Sequence, residues 1–383
     1  MDGARTIILV MSMESSALSA PTPELAMLRG AFPVLERFAY LNAGTDGPLP
    51  ERAVAAAEAE LRRELTSGRT LEHFERTQQL KEAVRSSYAA LLGRPPAEVA
   101  LTSCTSEGCT IVISGLGLRT GDEIVTSDEE HPGLLGALQA AMALWGARVV
   151  TVPLQELGAA VGPRTRLVAC SHVSWMTGAL APAELAAIGA EVPVLIDGAQ
   201  GIGAVAVDLE ALGCAAYAGS GQKWLCGPDG LGMLYVSAEL RERLTVARRG
   251  FANLENPDAG LEAKLHEDAR RFDGYSLSAE SLALARGSLE LFEQVGWERI
   301  HERARDLAAA LVGMLEARGR EVSPRGASTL VSFSSPDAEA ERAELAELGV
   351  LVRHLPGRQM LRASVGAWND ESDLERLVAG LRP

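Results

Sequence analysis

The chain has 383 residues, of which 47% are apolar and 23% charged, as in ordinary globular proteins. Its 36 Lys and Arg against 51 Asp and Glu give a net charge of −15, which argues against nucleic acid and anionic membranes as partners. The five cysteines form no C-x-x-C pair, so neither a disulfide framework nor a metal site is predicted. The apolar run at 7–11 is too short for a signal peptide or a membrane span, and a cytoplasmic protein is expected.

Residues 1–30 are predicted to be a flexible tail, because their first part is rich in Ser, Ala and Pro. A segment over 31–60 follows, and helices are predicted over 50–66 and 70–92. Seven short apolar strands then alternate with helical patterns, and the strands are predicted at 99–102, 123–126, 148–153, 166–171, 192–197, 215–219 and 232–236. This alternation indicates a mainly parallel seven-stranded sheet covered on both faces, with ligands at the carboxyl ends of its strands.

After the sheet, the patterns predict a helix over 237–249, an irregular stretch to 278, and long helices over 280–295 and 297–318. Three short strands within 328–335, 348–354 and 359–365 and a helix over 371–381 complete the chain. The predicted fold is therefore α/β, with a large domain over 61–260 and a smaller α+β domain over 261–383.

A strand-end carboxylate and a lysine in a glycine-rich turn are the most informative pair. The stretch V-P-V-L-I-D-G-A-Q-G ends a strand at Asp197, and A-G-S-G-Q-K-W-L-C-G-P-D-G places Lys223 in a turn of small residues. Pyridoxal phosphate chemistry needs this arrangement. The lysine forms an imine with the cofactor, and the carboxylate keeps the pyridine nitrogen protonated. A buried acid and a surface lysine would produce the same pattern.

The turn in L-T-S-C-T-S-E-G places the hydroxyls of Thr105 and Ser106 at a predicted helix N-terminus. Backbone N–H groups and hydroxyls at such a position form an anion site for a phosphate, although an ordinary helix cap uses the same residues. His131, after the next strand, could stack on a cofactor ring or be a surface histidine in an acidic loop. The stretch C-S-H-V-S-W-M-T-G adds a polar loop at a third strand end.

Together these motifs resemble the class V aminotransferases, which are fold-type I pyridoxal phosphate enzymes that include cysteine desulfurases, isopenicillin N epimerases and cyst(e)ine C–S lyases. The resemblance rests on the order T-S-E-G, E-x-H, S-H-V-x-W-x-T-G, D-G-A-Q, S-G-Q-K-W-x-x-G-P-x-G and L-R-A-S, and it runs from about residue 40 to the end.

The resemblance implies a role for each matching residue. Lys223 would bond covalently to pyridoxal phosphate, Asp197 would pair with the pyridine nitrogen, and Gln200 would contact the ring hydroxyl. His131 would stack on the ring. The phosphate would be held by Thr105, Ser106, Ser220 and Gln222, and by Ser276 from the neighbouring subunit of a homodimer with shared active sites. Asn42 would border the substrate, and Arg362 would anchor its α-carboxylate.

Two features depart from the desulfurases in this family. Gln222 stands where histidine is common, and no cysteine follows Cys226, so the nucleophilic cysteine loop is missing. Arg353, nine residues before Arg362, could meet a second carboxylate or the far end of a longer substrate, or make a surface salt bridge.

The sequence therefore predicts an enzyme that acts on an amino acid. β-Elimination with C–S cleavage of a cysteine-like or cystine-like substrate is the first hypothesis, and transamination and epimerisation are the alternatives. A cysteine desulfurase, a non-catalytic binding protein, and a sugar or lipid-carrier enzyme on the same scaffold are disfavoured, the last two because Lys223 and Asp197 are both present.

Overall fold

The computed structural model describes residues 22–274 and 276–382. Its helices are α1 (Pro23–Gly30), α2 (Glu51–Ser67), α3 (Leu71–Leu91), α4 (Thr105–Gly115), α5 (Pro132–Trp145), α6 (Leu185–Gly189), α7 (Ala238–Arg243), α8 (Ala279–Val295), α9 (Trp297–Ala317), α10 (Ala338–Glu347) and α11 (Glu371–Gly380). Its strands are β1 (Ala39–Tyr40), β2 (Val99–Thr102), β3 (Glu123–Ser127), β4 (Arg148–Val152), β5 (Thr165–Ser171), β6 (Val194–Asp197), β7 (Ala216–Ser220), β8 (Gly232–Val236), β9 (Leu330–Ser334), β10 (Val350–Leu351), β11 (Arg353–His354) and β12 (Met360–Ser364).

Seven strands form one large sheet in the order β2-β8-β7-β6-β5-β3-β4. Strand β8 runs antiparallel to both of its neighbours, and the other pairs in the sheet are parallel. This confirms the predicted mainly parallel seven-stranded sheet. Parallel strands end at one edge, and that edge collects the turns after β3, β5 and β6.

The large sheet is covered on both faces, as its near-continuous apolar strands predict. Alternate residues of each strand enter opposite cores: Val194 and Ile196 pack with apolar residues of α3 and α8, whereas Leu195 packs with those of α4 and α5. This packing presses the N-terminus of α4 against the sheet edge, since a Cβ on Gly108 would lie 2.8 Å from the Cβ of Ala218.

The smaller domain is α+β, also as predicted. Strands β11, β12 and β9 form an antiparallel sheet, and a third core joins this sheet to α9, α10 and α11. The short strand β1 pairs in parallel with β10, which fixes the N-terminal segment against this domain. The chain after β1 therefore passes between the two sheets.

The predicted tail differs from the structure at its end. Residues 23–30 are the helix α1, whose Leu28 is fully buried and whose Arg29 forms ion pairs with Asp370 and Asp373. Composition missed this helix because its partners lie at the other end of the chain. Residues 1–21 lie outside the described part of the chain, and the predicted domain bounds stay a prediction.

Other elements also differ from the predictions. The strand predicted within 348–354 is two short strands, β10 and β11, which belong to different sheets. Helix α7 ends at Arg243 rather than at 249, because the N–H of Thr245 leaves the helix pattern and donates to the carbonyl of Gly115. Helix α10 begins at an Asp337 cap in a stretch for which no element was predicted. Within residues 22–274 and 276–382, no helix has the length and hydropathy of a membrane span.

Candidate active site

A cavity of about 280 Å³ opens where the turns of the large sheet meet the small domain. Ten of the predicted site residues line this cavity: Thr105, Ser106, His131, Asp197, Gln200, Ser220, Gln222, Lys223, Arg353 and Arg362. They come from six separate stretches of chain. The structure thus brings together the strand-end motifs, as their shared sheet edge predicts.

Asp197 ends β6 at the floor of the cavity and is buried. Its Oδ1 accepts a hydrogen bond of 3.0 Å from the N–H of Ala199. Burial raises the pKa of the Asp197 carboxyl, whereas the nearby Lys223 ammonium and the N–H of Ala199 act to lower that pKa. A protonated ring nitrogen placed against this carboxylate would stabilise its charged form.

Lys223 lies in the turn after β7, where it is half-buried and lines the cavity. Burial lowers the pKa of its ammonium group, the Asp197 carboxylate opposes that shift, and the Arg362 guanidinium adds to it. A lowered pKa increases the share of the neutral amine, which is the form that acts as nucleophile or base.

The turn that carries Lys223 is closely packed from both sides. Cys226 has a φ of 49°, a left-handed conformation that is uncommon for a residue with a side chain. On the other side, the N–H of Gly47 donates to the carbonyl of Gln222 over 2.7 Å. A Cβ on Gly47 would lie only 2.0 Å from the carbonyl oxygen of Lys223, so this close approach requires glycine.

Hydroxyl groups cluster at the first turn of α4. The hydroxyls of Thr105 and Ser220 lie 2.7 Å apart, and the N–H of Thr105 donates to Ser220 Oγ over 3.1 Å. A Cβ on Gly133 would lie 2.3 Å from Ser106 Oγ, so the start of α5 leaves space for that hydroxyl. Helix geometry, hydroxyls and small residues together form a concave polar surface.

His131 caps α5, and its Nδ1 accepts a hydrogen bond of 3.0 Å from the N–H of Gly133. Its ring meets the ring of Trp175 edge-on, with centroids 5.2 Å apart. Burial and then the positive charge of Lys223 lower the pKa of His131 to about 4, so its imidazole is neutral at physiological pH. Gln200 donates from Nε2 to the carbonyl of Gly44 over 2.7 Å and accepts from the indole of Trp224.

Two arginines stand side by side on the small-domain wall. Arg353 and Arg362 are directly opposite each other in the β11–β12 pair. Arg362 is buried, and one of its nitrogens, Nη1, donates to the carbonyl of Trp175 over 2.8 Å, whereas Nε and Nη2 have no partner in the described part of the chain. Burial and then Arg353 lower the pKa of Arg362 to about 9. Like charges opposite each other destabilise a strand pair, so this wall is suited to an anion.

Two predicted residues do not line the cavity. Asn42 is half-buried, and its Oδ1 accepts from the hydroxyl of Thr45, so it supports the turn that carries Thr45 to the cavity. Ser276 is exposed on the surface of the chain. Its predicted contact with a neighbouring subunit stays a prediction.

Six cavity residues were not predicted as site residues: Gly44, Thr45, Asp46, Cys104, Trp175 and Ala199. Trp175 belongs to the polar loop after β5 that the sequence pointed to, but no role was predicted for it. Thr45 and Asp46 gave no signal of their own, because they reach the cavity only through the pairing of β1 with β10.

Comparisons with known proteins agree with this geometry. The sequence model of the family described as Aminotransferase class-V matches residues 39–377. The chain is 29% identical to a cysteine desulfurase of Cronobacter sakazakii, over 93% of this chain and 97% of that protein. It is 28% identical to an isopenicillin N epimerase of Streptomyces clavuligerus, over 89% and 93%.

Solved structures show the same similarity. A complex of the cystine C–S lyase C-DES with its reaction product cysteine persulfide superposes with a TM-score of 0.85 at 28% identity, over 91% of this chain and 98% of that one. A lysine-to-alanine mutant of C-DES, with glycine covalently linked to its PLP cofactor, gives a TM-score of 0.87 at 28% identity, over 94% and 98%.

Proposed function

Because the chain belongs to the class-V aminotransferase family and is a pyridoxal phosphate-dependent enzyme, we propose that it cleaves the C–S bond of a cystine-like amino acid by β-elimination. The observation that carries this proposal is the pair of arginines on the small-domain side of the cavity, in a stretch of chain that contains no cysteine. The family relationship supports the cofactor and the class of enzyme, and the residues of this chain support the substrate and the reaction.

The residues at the first turn of α4 fit the phosphate of the cofactor. Thr105, Ser106 and Ser220 supply hydroxyls beside a helix N-terminus, where negative charge is stabilised. One end of the buried Gln222 amide, assigned as Oε1, has no partner in the described part of the chain. Rotation of that amide exchanges its oxygen and nitrogen, so this end can donate to a phosphate oxygen.

The opposite end of the cavity fits the pyridine ring. Asp197 would pair with the ring nitrogen, Gln200 has a second N–H available for the ring hydroxyl, and the neutral imidazole of His131 would lie against the ring face. Lys223 would bond to the cofactor through its amine. When bound, pyridoxal phosphate supplies an electron-accepting ring that stabilises negative charge at the substrate Cα.

Lys223 would then move the proton. Once the substrate amine has displaced it, its neutral Nζ accepts the α-proton, for which its lowered pKa is suited. The electron pair of the Cα–H bond becomes the Cα–Cβ double bond, and the Cβ–S bond breaks with its electrons on sulfur. From cystine, the leaving group would be the cysteine persulfide anion, and water would release pyruvate and ammonia from the remaining three-carbon fragment.

The two arginines support an amino acid with more than one anionic group. Arg362, with Nε and Nη2 unpaired, is placed to hold the α-carboxylate by two parallel hydrogen bonds. Arg353 lines the same cavity and is less buried, so it would meet a distal carboxylate. Transamination needs only the first of these contacts.

The cysteines support elimination rather than persulfide formation on the protein. The turn between β11 and β12, over residues 355–359, contains no cysteine. Cys104 lines the cavity at the start of α4, whereas the other four cysteines are buried in the described structure. A nucleophilic cysteine in the position required of a desulfurase is therefore missing.

The test is to incubate the protein, loaded with pyridoxal phosphate, with cystine, with cysteine, and with pairs of amino and keto acids. We expect pyruvate and persulfide from cystine in equal amounts, and the Cys104→Ala variant should retain most of this activity. Lys223→Ala should retain none of it. The measurements are pyruvate, cyanide-reactive sulfane sulfur and chiral chromatography of the remaining amino acid.

Each alternative gives a different product. Transfer of the amino group to a keto acid without pyruvate formation would identify an aminotransferase, and inversion at Cα without loss of sulfur would identify an epimerase. Loss of activity in a folded Cys104→Ala variant, with alanine as the product from cysteine, would identify a desulfurase. Any of these results would contradict β-elimination.

A further inference from the structure

Two unpaired charges of opposite sign lie at the outer part of the cavity. Arg362 is almost fully buried, Arg353 is half-buried and Asp46 is exposed, so the three side chains mark a path from the floor towards solvent. All three line the same cavity.

Arg353 is held without a carboxylate. Its Nη1 donates to Thr45 Oγ1 over 3.2 Å, and its Cζ lies 5.9 Å from the centre of the Trp175 ring. No Asp or Glu in the described ranges lies within 4.0 Å of its guanidinium. A cation that rests on an aromatic face keeps its N–H donors available, so Trp175 orients Arg353 for an external anion.

Asp46 is suited to an external cation. Although the residue is exposed, partial burial of its carboxyl group raises the pKa of Asp46, the negative charge of Asp229 raises it further, and Lys223 and Arg353 oppose the shift. Its side chain makes no ion pair in the part of the chain that the structure describes. An ammonium group beside Asp46 and Asp229 would relieve their repulsion and favour the charged carboxylate.

We propose that Asp46 and Arg353 form a second subsite, which binds the ammonium and the carboxylate of the distal amino-acid group of a disulfide substrate, with Trp175 positioning Arg353. This inference rests on the proposed C–S cleavage and specifies its substrate. Cystine carries an identical zwitterionic group at each end, so the reacting end would bind to Arg362 and the cofactor while the other end binds to Arg353 and Asp46. Cysteine has no distal group and gains nothing from this subsite.

The test uses four disulfides of cysteine that differ only in the distal arm. Cystine has a distal ammonium and carboxylate, the cysteamine mixed disulfide has only the ammonium, the 3-mercaptopropionate mixed disulfide has only the carboxylate, and the ethanethiol mixed disulfide has neither. Initial rates of pyruvate formation give kcat/KM for each compound with the loaded enzyme.

Asp46→Asn should lower kcat/KM about tenfold for the two compounds with a distal ammonium and leave the other two unchanged, as expected for one charge-assisted hydrogen bond. Arg353→Gln should lower it similarly only for the two compounds with a distal carboxylate. Trp175→Leu should reproduce the Arg353→Gln order of substrates on top of an equal loss for all four, because its ring also contacts His131, and Trp175→Phe, which keeps an aromatic face, should restore both. A purely structural defect would lower all four values alike.

Matched controls remove a charge close by without touching the subsite. Glu51→Gln deletes an exposed acid in the first turn of α2, and Arg358→Gln deletes an exposed arginine of the β11–β12 turn. Both should keep the wild-type order of substrates. Equal losses on all four substrates in Asp46→Asn, or no loss on any of them, would overturn the subsite.

A binding measurement separates this inference from the proposed reaction. Calorimetry with the Lys223→Ala protein, loaded with pyridoxal phosphate, compares cystine with the ethanethiol mixed disulfide. Tighter binding of cystine that is lost on adding Asp46→Asn supports the subsite even if no C–S cleavage is detected. Equal binding of the two compounds rejects the subsite even if both are cleaved.

Discussion

Glu130 is buried at the carboxyl ends of β3 and β5, directly before His131. Its carboxylate accepts hydrogen bonds from Ser127 and, at 3.1 and 2.6 Å, from the N–H and hydroxyl of Ser171. Burial raises the pKa of Glu130 to about 7, although these hydrogen bonds act to lower it. The Glu130 carboxyl group therefore links the turn before His131 to the neighbouring strand, and its burial makes this group harder to ionise.

The raised pKa predicts a pH-dependent contribution to stability. The folded chain binds this proton more tightly than the unfolded chain, so the stabilisation is complete below about pH 4.5 and is lost as pH rises to about 7. Glu130→Gln removes the titration. We expect the difference in unfolding free energy between wild type and Glu130→Gln to shift by roughly 3 kcal/mol in favour of the variant over this window.

Urea unfolding of both proteins at a series of pH values between 5 and 8 measures that difference. Glu129→Gln is the matched control, because Glu129 is the adjacent carboxyl and is less buried. A wild-type to Glu130→Gln difference that does not change with pH would show that Glu130 ionises as readily in the folded chain as in the unfolded one.

At the scale of elements, the site depends on how the segment after β1 packs on the lysine turn. Gly47 contacts the carbonyls of both Gln222 and Lys223, and Gly44 approaches Arg362 and Ser364 so closely that a Cβ would lie within 2.9 Å of each. These two glycines let one stretch of backbone pass between the large sheet and the small domain. Thr45 and Asp46 reach the cavity because of that passage.

Gly47→Ala tests this arrangement. The added methyl group cannot fit against the carbonyl of Lys223, so the segment or the lysine turn must move. We expect a loss of about 2 kcal/mol or more in stability, as for overpacked positions, and at least tenfold weaker binding of pyridoxal phosphate. The measurements are thermal unfolding of the apoprotein and titration of the visible absorbance of the bound cofactor.

Gly30→Ala is the control for that substitution, because a Cβ there meets nothing within 4 Å and the residue ends a helix. It should bind the cofactor as the wild type does. Wild-type stability and cofactor affinity in Gly47→Ala would mean that the segment does not determine the shape of the lysine turn.

At the scale of the whole molecule, Asp273 and Gly274, which precede Ser276 in the chain, are bound to the large domain. Asp273 forms a buried, two-pronged ion pair with Arg85, and the N–H of Gly274 donates to the carbonyl of Leu101. A buried pair of this kind is costly to break from one side. Ser276, two residues after Gly274, is exposed and does not line the cavity of its own chain.

This placement fits the predicted homodimer with shared sites. We expect the loaded protein to sediment as a dimer, and Ser276→Ala to weaken the binding of pyridoxal phosphate about tenfold through the loss of one hydrogen bond to a charged group. Ser67→Ala, at an exposed helix end, is the control. A monomer with full cofactor affinity would contradict the shared site, as would an unchanged affinity in Ser276→Ala.

The sequence by itself determined the sheet and the inner part of the site. Apolar strands that alternate with helices fold into a parallel sheet, and the ends of parallel strands must share an edge, so Asp197, Lys223, His131 and Thr105 could be placed together from their order alone. The glycine-rich turn and the missing cysteine loop are likewise readable from the residues. These features are local, and each motif carries its own signal.

Only the tertiary structure decided the outer part of the site. Asp46 and Thr45 reach the cavity because β1 pairs with β10 near the other end of the chain, and Arg353 faces it because of its register opposite Arg362. Glu130 acquires its raised pKa from burial between two strands, and α1 is held by residues of the last helix. Long-range packing sets each of these features, and the residues nearby in the sequence carry no trace of it.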